Sequence, residues 1–64
     1  MSNEYEWRYL SDLKSGDYIS YFYTDVKVVS VSRESAKYLI SIEEEGKRRT
    51  IMFLYDREHL CLKR

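Results

Sequence analysis

Apolar side chains recur at every second position in six short runs of this chain, and no stretch carries the three-to-four-residue spacing of a long amphipathic helix. A strand turns successive side chains to opposite faces, so the alternation predicts an all-β molecule built from half-buried strands. The candidate strands are residues 4–10, 18–24, 26–32, 37–43, 47–54 and 59–63, arranged as an antiparallel meander of five or six strands with single helical turns in its connections.

Residues 37–43 show the pattern most clearly: Tyr38, Ile40 and Ile42 oppose Lys37, Leu39, Ser41 and Glu43. Ile51 and Phe53 face inward from the next run, and Glu44-Glu45-Gly46 supplies the turn between them, with the glycine free to take a left-handed backbone conformation. The Val28-Val29 pair breaks the alternation as a β-bulge would. Between Glu4 and Leu10, Tyr5, Trp7 and Tyr9 alternate with Glu4, Glu6 and Arg8, a strand with one face toward a core. Residues 18–24 carry aromatics on both faces, and Thr24-Asp25 reads as the turn that follows. Residues 11–17 read as a tight connection with Leu13 inside, and residues 55–58 as one helical turn. The expected core is Leu13, Ile19, Val29, Val31, Ile40, Ile42, Ile51, Phe53, Leu60 and Leu62.

Sixty-four residues supply one core, and a chain this short is marginal on its own, which makes self-association an expectation. The one cysteine, Cys61, has no intrachain partner for a disulfide, so a reducing, cytoplasmic setting is expected. Residues 1–9 contain no apolar run of the signal-peptide kind, and no stretch is long enough to span a membrane as a helix. Eleven basic groups balance eleven acidic ones, which removes the positive field that draws non-specific nucleic-acid binders to phosphate.

Seven tyrosines, two phenylalanines and a tryptophan exceed what so small a core holds. Most of these rings are expected in or around the core. Tyr18, Phe22, Tyr23 and Tyr55, with Tyr5 and Trp7, are the candidates for a contact surface, since tyrosine offers large area at low entropic cost. The expected partner is another protein or a second copy of the chain, met through these rings and a strand edge. The alternative is a nucleic-acid-binding face of Arg33, Lys37, Tyr38, Lys47, Arg48 and Arg49, although most of the charge flanking Gly46 is expected to pair the hairpin with itself, and the adjacent acids oppose phosphate.

His59 and Cys61 share a strand face and could ligate zinc, but no second ligand pair exists to complete a four-ligand site. The same two residues as nucleophile and base would stand about 7 Å apart along a strand, beyond hydrogen-bond reach. Asp56 and Glu58 lie in a polar turn as ordinary solvated charges, and no glycine-rich phosphate loop occurs. The expectation is therefore a protein that is not an enzyme and uses no cofactor or metal.

The stretch Leu13-Lys14-Ser15-Gly16-Asp17-Tyr18-Ile19 resembles the leucine-x-x-glycine-aspartate-x-aliphatic entry to the first strand of many SH3-like barrels, and the order of elements resembles that fold as well. The resemblance implies a small, closed or half-closed antiparallel barrel. Such barrels serve as peptide binders, nucleic-acid binders and assembly modules, so it implies no single activity.

Overall fold

A computed structural model describes residues 4–64. Six antiparallel strands form one sheet: β1 (Tyr5–Tyr9), β2 (Tyr18–Tyr21), β3 (Thr24–Glu34), β4 (Lys37–Glu44), β5 (Lys47–Phe53) and β6 (Glu58–Leu62), in the spatial order β1-β6-β2-β3-β4-β5. The all-β meander expected from the alternation is what forms. The sheet rolls without closing. Phe53 of β5 meets the His59 ring of β6 edge-on at 5.6 Å, and the Arg49 guanidinium of β5 lies 5.6 Å from the Tyr21 ring of β2, while β1 and β5 remain its two edges.

Turn chemistry sets where the strands end. Glu45 and Gly46 both have positive φ, 52° and 77°, the geometry of a two-residue hairpin turn whose twist matches its strands, so the expected β4–β5 hairpin forms there. The β3 bulge also falls where alternation breaks: Val28 pairs with Ile42 and Ser30 with Ser41, leaving Val29 as the extra residue. The β2–β3 turn differs from expectation. It sits at Phe22-Tyr23, two residues before Thr24-Asp25, and Tyr21 pairs with Thr24 to close it. Residues 55–57 form no helical turn. Instead the Leu10 amide donates to the Arg57 carbonyl at 3.0 Å and the Ser11 hydroxyl to Asp56 at 2.8 Å, tying the β5–β6 connection to the 3-10 turn of Leu10–Asp12.

Leu10, Leu13, Ile19, Val26, Val28, Tyr38, Ile40, Ile42 and Cys61 make the core, with Tyr21, Val31, Ile51 and Phe53 packed at its margin. Four of the ten expected core residues are fully inside: Leu13, Ile19, Ile40 and Ile42. Val29, Leu60 and Leu62 are only half-buried, and Val28 and Cys61 take the interior places. The reason for the exchange at β6 is the Ile19–Cys61 pairing, which puts Cys61 on the inner side with Ile19 and turns its two leucine neighbours outward.

The same parity inverts β1. Leu10 is fully buried and Tyr9 before it is extended, so alternation carries Arg8 and Glu6 inward and Tyr5, Trp7 and Tyr9 outward. Arg8 is 9% exposed. Its guanidinium pairs with Glu6, lies 3.8 Å from Asp17 Oδ2 and donates to Cys61 Sγ at 3.4 Å. Asp17 in turn accepts two hydrogen bonds from Arg64, at 3.1 and 2.9 Å, and caps the Gly16 turn by accepting from the Lys14 amide at 2.9 Å. A buried guanidinium is tolerable only when its charge is met in this way.

Candidate interaction surface

The β2–β3 tip is the first component. Phe22 and Tyr23 have φ of 52° and 66°, the left-handed region that asparagine and glycine favour and that bulky side chains rarely enter. Phe22 is 77% exposed and Tyr23 fully so. Phe22 leans edge-on against Tyr21 at 4.5 Å, which fixes one ring, while the Tyr23 ring stands free in solvent.

The outer face of the β1–β6–β2 ribbon is the second. Register places Tyr5 beside Leu62 and Trp7 beside Leu60, and Tyr18 follows on β2. Trp7 is 64% exposed and the flanking tyrosines about half so, which leaves a contiguous apolar face with polar hydroxyls at its rim. The Tyr5 hydroxyl donates to both Asp25 carboxylate oxygens, at 2.9 and 2.8 Å, and this bond pushes its pKa above the ordinary phenol value. The register also brings the tip to the end of the ribbon where Tyr9 pairs with Glu58.

Of the four tyrosine-type candidates, Tyr18 thus joins the ribbon face, and Phe22 and Tyr23 form the tip. Tyr55 is exposed in the β5–β6 connection, apart from both. Sequence reasoning missed Tyr9, Leu60 and Leu62 as surface residues. The β6 pair turns outward through the Ile19–Cys61 pairing and Tyr9 through the burial of Arg8, both set by residues distant in the chain.

The basic set does not assemble. Arg33 and Lys37 lie where β3 passes into β4, and Lys47, Arg48 and Arg49 at the other end of β4. By register along β4 the two groups stand four to seven positions apart, about 13–23 Å. Tyr38 is buried with Ile40 and Ile42, so its ring is closed to a nucleobase. Glu43 stands across from Arg48 and Glu44 from Lys47, and Glu44 meets Arg49 at 3.5 Å, so acidic groups face the cations of the hairpin. An open depression of about 400 Å³ beside Tyr18 is lined by Asp25, Glu43, Glu44 and Glu45 against the one cation Lys27, a poor setting for phosphate.

Cys61 and His59 occupy structural places. Burial pushes the Cys61 thiol up from its ordinary pKa, against the partly opposing charge of Arg8. His59 Nε2 contacts the Ser20 carbonyl at 2.8 Å, bridging β6 to β2. Among the described residues no three of His, Cys, Asp and Glu gather as a metal would need. No helix among them is long and apolar enough to cross a membrane. No protein-family model matches the chain, and no significant match was found among curated proteins or solved structures.

Proposed function

We propose that this is a non-enzymatic protein-interaction module, a small adaptor, regulator or inhibitor, that engages a protein partner with the aromatic tip of Phe22 and Tyr23 and the adjoining ribbon face. One observation carries the reading: two large rings are held in solvent on a backbone conformation that disfavours them. Stability alone would select Asn-Gly at that turn, and burial would select rings elsewhere. A ring held by a neighbour, as Phe22 is by Tyr21, loses less entropy on contact, and exposed aromatic rings serve as anchors in interfaces. The return of β6 beside β2 after the β2–β5 meander supports the SH3-like resemblance, whereas the absence of a helical turn before β6 departs from it.

The test is affinity capture from a nuclease-treated native lysate with the wild-type chain and with a Phe22→Asn/Tyr23→Gly variant. A protein retained by the wild type and lost with the variant is the expected result. Equal capture by both chains overturns the reading. In a parallel capture without nuclease, retention of nucleic acid that weakens steeply with salt and with loss of Lys47, Arg48 and Arg49 replaces it with the alternative.

A further inference from the structure

We infer that the β1 edge is built to pair with the β1 edge of a second copy of this chain, antiparallel and centred on Trp7. The inference rests on the interaction-module reading and names one of its partners.

The backbone comes first. The Lys63 amide donates to the Glu4 carbonyl at 2.9 Å and the Leu10 amide to the Arg57 carbonyl at 3.0 Å, so both ends of β1 are tied to the β6 side through even-numbered residues. Antiparallel pairs exchange these bonds at every second residue. Glu6 and Arg8 therefore direct their amides and carbonyls at β6, and Tyr5, Trp7 and Tyr9 direct theirs outward. No strand covers that side among the described residues. An uncovered row of this kind is a template for another strand.

The side chains then select the occupant. Tyr5-Glu6-Trp7-Arg8-Tyr9 reads the same in both directions by chemical type except at Glu6 and Arg8, which exchange sign. A two-fold axis at Trp7 sets Tyr5 opposite the partner's Tyr9, Trp7 opposite the partner's Trp7, and Glu6 opposite the partner's Arg8. Arg8 is buried with its charge met inside its own copy, so the register contributes here by leaving no like charges face to face. The outward-facing backbone groups are in phase with the same axis, giving about six inter-strand hydrogen bonds. Tyr5, Trp7 and Tyr9 of the two copies merge into one aromatic strip on the outer face. Such an isologous contact closes at two copies. A ribbon of five residues covers less than the roughly 800 Å² per partner of a standard interface, so the dimer is weak and concentration-dependent.

Sedimentation velocity and amide exchange on the purified full chain from about 10 µM to about 1 mM test this. The expected result is a rise toward twice the monomer mass, with the Tyr5, Trp7 and Tyr9 amides gaining protection in parallel. Trp7→Lys sets two cations opposite each other and weakens association by at least about tenfold. Trp7→Pro removes an amide that points away from β6, so it keeps the monomer fold and abolishes the dimer. A monomer throughout that range with an unprotected Trp7 amide overturns the inference, as does association that is unchanged in both Trp7 variants. The tip variant is expected to dimerise as the wild type does, and dimerisation lost there alone would place the contact elsewhere. Loss of partner capture with the dimer intact touches only the tip.

Discussion

Replacing Phe22-Tyr23 by Asn-Gly tests whether the tip is held against its own conformational preference. Both residues sit at φ between 50° and 70°. A non-glycine L-residue in that region costs on the order of 1–2 kcal/mol, and asparagine is penalised least. Glycine at position 23 removes that cost, offset by about 0.4–1 kcal/mol for the freedom it adds to the unfolded chain. Asparagine at position 22 recovers part of the same penalty. The main loss is the edge-on contact of Phe22 with Tyr21, about 0.5 kcal/mol at so exposed a site. The other turn ring touches nothing that would be missed, since Tyr23 is fully exposed. The balance is a stabilisation of about 1 kcal/mol, which for a chain of this size raises Tm by about 4–8 °C. Urea titration and calorimetry of the two chains measure it, and the slope of the urea transition should not change because the core is untouched. A variant that melts at or below the wild-type temperature refutes the reasoning, because the rings would then be contributing to the fold rather than being carried by it.

Two further outcomes follow from the turn and the buried charges. Gly46→Ala keeps every contact, since a Cβ there meets nothing within 4 Å, yet it must hold φ of 77°; equilibrium unfolding should show a loss of about 1 kcal/mol from backbone strain alone. Asp17 is held below its ordinary carboxylate pKa, first by the hydrogen bonds from Arg64 and then by the Lys14 amide, against the opposing effect of burial. Between the folded and unfolded values the unfolded chain binds the extra proton, so stability rises with pH there. The contribution is complete above about pH 4 and is lost as pH falls through the folded value. Asp17→Asn should cost about 1–3 kcal/mol at neutral pH and flatten the acid limb of a stability–pH profile, and an unchanged acid limb would show that Asp17 is not the group responsible.

Strand period and glycine position were legible wherever one face was unambiguously apolar. Tyr38, Ile40 and Ile42 oppose Lys37, Ser41 and Glu43 with Leu39 as the one apolar exception, and Gly46 marks the turn that follows, so β4, its face and its hairpin could all be read. The Val28-Val29 bulge was legible for the same reason, as a break in a strong pattern. The β2–β3 turn was not, because Phe22 and Tyr23 are among the residues least suited to left-handed backbone. As for the contact surface, the surplus of rings was visible in composition, but their grouping depended on pairing between β1, β6 and β2, which brings together residues more than 40 positions apart.

The least legible feature was which face of β1 is inside, and its cause connects the buried charges to the edge. Hydrophobicity alone would turn Tyr5, Trp7 and Tyr9 inward. What reverses them is a receptor for Arg8 assembled from distant chain: Asp17 from the Gly16 turn and Cys61 from β6, with Arg64 locking Asp17 in place. Once Arg8 is accepted inside, the strand cannot bury its rings, because side chains on adjacent residues of a strand point to opposite faces. The rings are then displayed on an edge strand whose outward-facing amides belong to the same three residues. Breaking the Arg8 receptor should therefore disturb the aromatic face and the edge together, since one alternation sets both.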